Sequence, residues 1–122
     1  MLYLGDIMKK TNIYVKLNNK DIPYEYNGMA NYNDNILEFI DKINNEEYKY
    51  VFDKRVKRLV KSNNKNDIII DFNNEEIRIN ENGIELYIKM KVKKYKVENN
   101  NVEIIYNVDN HDILLQIEEV KK

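Results

Sequence analysis

Lysine and tyrosine alternate along one stretch of the chain in a pattern that could bind nucleic acid. Lys89, Lys91 and Lys93 have the same parity as Tyr87 and Tyr95, and residues of one parity share a face of a strand. Cations interleaved with aromatic rings let a sheet hold a single nucleic-acid strand through phosphate contacts and base stacking. The alternative is a solvated outer face that prevents aggregation, which the formal net charge of -1 favours.

The ten tyrosines offer a second kind of chemistry. If the strands close into a barrel, Tyr26, Tyr50 and Tyr106 would orient a small ligand in the interior. Lys61 could pair with an anionic end, and the flexible thioether of Met90 would line an apolar wall. The alternative is that the rings fill the core, as buried tyrosines most often do. Our leading hypothesis is a non-catalytic protein that binds a small amphipathic ligand, with nucleic-acid binding as the second.

Catalysis and metal binding find little support in the sequence. The chain has no Cys, so it has neither a thiol nucleophile nor a thiolate metal site. The lone His111 lies in a predicted turn, which provides neither an orienting partner nor a cleft. Four carboxylates that lie close to one another in the sequence could bind a cation, but they lack the spacing and the glycine of an EF-hand loop; they are Asp67, Asp71, Glu75 and Glu76. We therefore expect a protein that is not an enzyme and has no cofactor or metal.

The elements that must position these side chains are strands. Apolar and polar residues alternate from Ile84 to Lys93, and the same period of two returns in 102–108 and 113–117. Breaks rich in Asn and Asp separate these runs and predict hairpins. The inward positions of this meander form the predicted core: Ile84, Leu86, Ile88, Met90, Val92, Val102, Ile104, Tyr106, Ile113, Leu115 and Ile117.

The rest of the chain shows the same pattern. Alternating runs begin at Ile13, Gly28 suggests a bulge or bend, and residues 36–40 fit a strand better than a helical turn. A basic strand is expected over 54–61. Eight to ten strands without a convincing helix predict an all-β, single-domain, antiparallel up-and-down β-barrel, whose closure removes exposed edges.

The domain organisation and the compartment follow from similar considerations. Met8 resembles an alternative start, so residues 1–7 are expected to be a flexible extension and residues 8–122 the barrel domain. No apolar run approaches the roughly 20 residues of a membrane span. We expect a cytoplasmic protein without a membrane partner, and the oligomeric state stays open.

Three segments resemble an uncharacterised bacterial family of small calycin-type, lipocalin-like β-barrels, the YwiB-like family. NNVEIIYNV at 100–108 resembles the penultimate strand of the family, including its Tyr, here Tyr106. IELYIKMKVKKY at 84–95 is similar to the long preceding strand, and LVKSN at 59–63 to a strand in which Lys61 stands where Arg is frequent. Asn63 replaces a Gly of the family, and Met90 falls where Thr is common. The resemblance implies a calycin-like barrel and no particular reaction.

Overall fold

A computed structural model describes residues 7–18 and 23–120, and these residues form eleven antiparallel strands. The strands, in chain order, are β1 (Lys9–Asn18), β2 (Tyr24–Tyr32), β3 (Ile36–Ile43), β4 (Glu46–Asp53), β5 (Arg58–Ser62), β6 (Asp67–Asp71), β7 (Glu76–Glu81), β8 (Ile84–Lys89), β9 (Lys91–Glu98), β10 (Asn101–Val108) and β11 (His111–Glu119). Within these ranges no apolar helix is long enough to span a membrane.

Tight turns of Asn, Asp and Gly join many of the strands. Asn44 and Asn45 connect β3 to β4, and both have positive φ. Asn82 and Gly83 connect β7 to β8 with φ of 53° and 77°. Two-residue turns with φ > 0 at both positions match the right-handed twist of the flanking strands. The hairpin predicted between 102–108 and 113–117 is confirmed by the same geometry, since Asp109 and Asn110 connect β10 to β11 and both have positive φ.

The order of strands in the sheet follows the order along the chain. It runs β8-β7-β6-β5-β4-β3-β2-β1-β11-β10-β9. β8 and β9 lie at opposite ends of this order, yet only Met90 separates them along the chain. The sheet must therefore curl until its two ends meet, which produces a nearly closed barrel. The prediction of an all-β, up-and-down barrel is confirmed, and its assignment to the calycins stays a prediction.

The barrel closes at Met90, where the pairing partner of the chain changes from β7 to β10. The backbone N–H of Met90 donates to the carbonyl oxygen of Glu75 at 3.0 Å. The backbone N–H of Val92 donates to the carboxylate Oε2 of the same residue at 2.8 Å. Glu75 thus holds both sides of the junction. Because β8 pairs with β7 and β9 pairs with β10, the sheet closes with a stagger, as barrel geometry requires.

Phe72 fills the interior next to this junction. Its backbone N–H donates to the carbonyl oxygen of Lys57 at 2.9 Å, and its side chain is 4% exposed. Its ring lies 5.4 Å from the ring of Tyr106, edge to face, and 6.2 Å from the ring of Tyr95. Through Phe72, the turn between β6 and β7 therefore connects the turn between β4 and β5 to the inner faces of β9 and β10.

Most of the predicted core is confirmed, but the burial predicted for the residues of β8 is wrong. Met90, Val102, Ile104, Tyr106, Leu115 and Ile117 are buried, and Val92 and Ile113 pack against them. Ile84, Leu86 and Ile88 are instead 63%, 55% and 37% exposed. They share the inner face with Ile77 and Ile79, but the stagger carries β8 past the part of the barrel that would cover them. A charge introduced at position 88 would therefore be partly solvated.

Other details also differ from expectation. The 84–93 run is split at Met90, which adds one strand to the predicted maximum. Residues 54–57 form a turn and the basic strand begins only at Arg58. Of the bulge or bend expected at Gly28, the bulge is absent from the pairing with β1, whose register is uninterrupted there. Residues 1–6 of the expected extension lie outside the described residues, and Ile7 is exposed.

Replacing Phe72 with Ala should lower the free energy of unfolding by about 3–5 kcal/mol, because it empties a buried aromatic site at the junction. Ile84→Ala is the matched control, since this apolar side chain is mostly exposed and its truncation should change stability by less than about 0.5 kcal/mol. Urea unfolding of both variants tests this. Equal losses would contradict the assigned positions of the two side chains.

Alkaline pH should destabilise the fold through Tyr106. Burial raises the pKa of its hydroxyl to about 12 from the usual 10.0. Above pH 10 the unfolded chain releases this proton while the folded chain retains it, so stability falls as pH rises towards 12. The loss assigned to Tyr106 is about 2–3 kcal/mol. In unfolding curves measured from pH 9 to about 12, Tyr106→Phe should show a shallower decline, and an unchanged slope would refute the assignment.

Candidate functional site

The register of the sheet brings predicted ligand-binding residues of neighbouring strands side by side. Tyr50 of β4 lies opposite Phe39 of β3 and opposite Lys61 of β5. Directly opposite residues of an antiparallel pair have their side chains on the same face. Tyr50 and Phe39 are both buried, so this row of side chains points into the barrel.

Aromatic rings form a continuous stack at this position. The ring of Phe39 lies 4.4 Å from that of Tyr26 and 4.7 Å from that of Tyr50. The ring of Tyr24 lies 5.3 Å from that of Tyr50, and its hydroxyl donates to Oδ2 of Asp41 at 2.7 Å. Burial, and then the Asp41 contact, raise the pKa of Tyr24. The stack occupies the interior between β2 and β4, so a ligand could approach only its outer end.

Gly28 allows Tyr26 to join the stack. The Tyr26 hydroxyl donates to the carbonyl oxygen of Met29 at 2.7 Å, so the side chain folds back along its own strand. A Cβ atom at position 28 would lie 2.8 Å from that hydroxyl oxygen. The glycine therefore makes room for the ring. Because the Tyr26 hydroxyl is already bonded to the backbone, the predicted role of orienting a ligand is the least supported for this residue.

Lys61 covers the outer end of the stack. Its Nζ lies 4.7 Å from the centroid of the Tyr48 ring and 5.7 Å from that of Tyr50. Such cation–π contacts stabilise a lysine by about 0.5–1 kcal/mol at exposed sites. In the part of the chain that the structure describes, no carboxylate oxygen lies within 4.0 Å of this ammonium group. Among the described residues, Lys61 is therefore a cation without an ionic partner.

A half-open cleft of about 160 Å³ lies next to this lysine. Ile68 and Ile79 form one apolar wall, and Tyr48 forms another. Asp67 and Glu81 line the cleft as well. The cleft is smaller than the pockets of roughly 300–1,000 Å³ that hold drug-sized ligands. It could hold only a small guest or one end of a larger guest.

The structure separates the five predicted ligand-binding residues into two groups. Tyr26, Tyr50 and Lys61 belong to the stack and its covering cation. Met90 is buried at the barrel junction, and Tyr106 packs against Phe72. Both therefore belong to the packed core in this structure.

Sequence reasoning missed several residues of the cleft. Tyr48, Ile68 and Ile79 belong to β4, β6 and β7, and their proximity to Lys61 depends on pairing across four strands. The alternation of inward and outward residues along each strand was the signal that could have found them. Lys61 lies opposite Ile68, and Ile68 lies opposite Ile79, so a correct register would have placed the lysine beside two isoleucines.

The proposed nucleic-acid surface is also altered by the register. Between Tyr106 and Ile105 of β10, the pairing moves from Val92 to Lys94 of β9, so Lys93 is the extra residue of a β-bulge. The bulge shifts the parity of the strand. Tyr95 therefore lies opposite Ile104, a core residue, and faces inward against Phe72. The prediction that it shares the outer face with the lysines is wrong.

The lysines themselves remain exposed, but two outward cations in this region are paired with carboxylates. Lys93 lies 3.0 Å from Asp112, and Lys94 lies 2.6 Å from Glu103. The contact with Lys94 lowers the pKa of Glu103. The hydrogen bond from Asn107, and then the contact with Lys93, lower the pKa of Asp112. Tyr87 is exposed, and its hydroxyl donates to Glu85. Lys89 and Lys91 are also exposed. Nucleic-acid binding by this face stays a prediction, with fewer free groups than the sequence indicated.

The carboxylates and the histidine considered as candidates from the sequence do not form a site among the described residues. Asp71 is buried and accepts hydrogen bonds from the backbone of Asn73 and Asn74, which fix the turn after β6. These bonds and Arg58 lower its pKa against the opposing effect of burial. His111 is exposed at the start of β11. Among the residues described, no three acidic or histidine side chains form a group able to hold a metal ion.

The opposite end of the barrel has a second cleft, of about 420 Å³, beside Lys54. Here the lysine Nζ donates to Oδ1 of buried Asn100 at 3.0 Å, and the Asn100 amide donates to Glu119 at 2.7 Å. Burial lowers the pKa of Lys54, against the opposing effect of Asp34 and Glu119. Lys54 is thus engaged in closing this end, which makes it a weaker candidate than Lys61 for contacting a ligand.

No family model and no curated protein matches the chain. Among solved structures, it is similar to the crystal structure of the ywiB protein from Bacillus subtilis, with a TM-score of 0.46 and 12% sequence identity. The alignment covers 93% of this chain and 96% of that chain. That protein is the one after which the family resembled by the sequence is named.

Proposed function

We propose that this protein is a non-catalytic binding protein that takes a small amphipathic ligand at the mouth of its barrel. The ligand carries one anionic group, which pairs with Lys61. Its apolar part lies against Ile68, Ile79 and the ring of Tyr48. This differs from a ligand deep in the interior, where the stack of Tyr26, Phe39 and Tyr50 already occupies the space.

The position of Lys61 is the observation that carries the proposal. A lysine normally keeps its ammonium group in water or close to a carboxylate. Here the ammonium group lies over two tyrosine rings, with two isoleucines in the same cleft and no carboxylate within 4.0 Å among the described residues. An anionic group entering the cleft would gain a charge-assisted hydrogen bond, which is about twice as strong as a neutral one.

The rest of the cleft limits what the ligand can be. Asp67 and Glu81 also line it, so a ligand with several negative charges would be repelled. The small volume admits a short aliphatic chain or a single ring. A monocarboxylate with an apolar tail of that size fits both the charge and the walls.

The proposal predicts weak binding of short monocarboxylates at this cleft. In heteronuclear NMR titrations with a series from butyrate to octanoate, backbone amides of Lys61, Ile68 and Ile79 should shift, because these residues contact the ligand. Lys61→Gln should weaken binding about tenfold, since it removes the charge but keeps a polar side chain. Lys42→Gln, on an exposed position of β3, is the matched control and should bind like the wild type.

A neutral analogue separates charge pairing from apolar contact. The corresponding primary amides should bind the wild type and Lys61→Gln equally, because they cannot form the ion pair. The proposal fails if no cleft amide shifts at millimolar carboxylate, or if Lys61→Gln and Lys42→Gln bind the acids alike.

A further inference from the structure

β8 is a strand with an unpaired edge and an uncovered apolar face. It lies at one end of the sheet order and, within the described ranges, pairs only with β7. All six of its residues are exposed, including Ile84, Leu86 and Ile88 on one face. Such an edge is a template for pairing with another strand.

Hydrogen-bond alternation determines which backbone groups of β8 are free. The backbone N–H of Met90 bonds to the carbonyl of Glu75 across the β7 side. In an antiparallel pair, residues bonded to the neighbour alternate with residues whose N–H and C=O point away. Ile88, Leu86 and Ile84 therefore face β7 with their backbone groups. The backbone groups of Glu85, Tyr87 and Lys89 point towards the free edge.

We propose that two copies of this chain pair through their β8 strands, antiparallel and centred on Tyr87. In this register Glu85 of each copy lies opposite Lys89 of the other, which gives two cross-strand ion pairs. Leu86 of each copy lies opposite Ile88 of the other on the apolar face. Opposite-charge and apolar cross-strand pairs both stabilise antiparallel sheets.

Charge selects this register from the neighbouring ones. A shift of two residues in one direction places Glu85 opposite Tyr87 and leaves both Lys89 residues without a partner in the strand. A shift in the other direction moves the centre to Ile88 and pairs Glu85 with Lys91, beyond the end of β8. A shift by a single residue would place apolar side chains opposite polar ones. Only the arrangement centred on Tyr87 gives each of the three outward residues, Glu85, Tyr87 and Lys89, a partner within β8 of the other copy.

The self-complementary pattern identifies the partner as a second copy. A two-fold interface requires that each residue and its counterpart be exchanged by the symmetry, and Glu85 with Lys89 meets this condition in a strand of six residues. The other end of the sheet differs, because β9 carries Lys91, Lys93, Lys94 and Lys96 and a bulge. Clustered lysines and bulges are devices that prevent edge pairing, and β8 has a single lysine and no bulge in its pairing with β7.

Charge reversal provides the decisive experiment. Glu85→Lys places two like-charged pairs in the interface, and so does Lys89→Glu. Each variant alone should dimerise at least about tenfold more weakly than the wild type in sedimentation velocity. Mixed together, the two variants should form a heterodimer, because every Lys then meets a Glu. The double variant Glu85→Lys/Lys89→Glu should recover self-association.

Two further variants test the backbone contacts and the fold. Tyr87→Pro removes an N–H that points to the free edge, so it should abolish the dimer while the monomer stays folded by circular dichroism. Lys42→Glu, a charge reversal at an exposed position of β3, should leave the dimer unchanged. A wild type that stays monomeric up to about millimolar concentration would overturn the proposal. Variants that dimerise as the wild type does, or a mixture that does not associate, would also overturn it.

Discussion

The structure depends on the closure of one continuous sheet at Met90. The chain from Ile84 to Glu98 pairs first with β7 and then, beyond Met90, with β10. Glu75 holds the junction through its carbonyl and its carboxylate, and Phe72 fills the interior beside it. The junction joins the two ends of the eleven-strand sheet. Without the segment that it connects, the edges of β7 and β10 would both be unpaired.

The same closure explains both features from which function is inferred. Directly opposed inward residues form a row that runs from Tyr50 through Lys61, Ile68 and Ile79 to Leu86. Tyr50 is buried at one end of the row and Leu86 is exposed at the other. The stagger thus takes an inner face gradually out of the barrel. Lys61 lies where the row passes from the packed interior to solvent, and β8 lies beyond it.

Alternation of apolar and polar residues predicted the strands, the hairpins and most of the core. It could not predict that Ile84, Leu86 and Ile88 would be exposed, because periodicity reports which face a side chain occupies and not whether that face is covered. It also could not locate the bulge at Lys93, which turned Tyr95 inward. Sequence placed Tyr26, Tyr50 and Lys61 on inward positions, and their grouping with Tyr48, Ile68 and Ile79 emerged only from the register of four strands.

Native-state amide hydrogen exchange at a protein concentration where the chain is monomeric tests the closure most directly. Exchange protection reports the free energy of opening for each hydrogen bond. We expect the amides of Met90 and Val92 to exchange as slowly as those of β10, because Glu75 holds both of them. The amides of Glu85 and Tyr87 should exchange rapidly from the free edge of β8. Rapid exchange at Met90 and Val92, together with uniform protection along β8, would contradict closure at this junction.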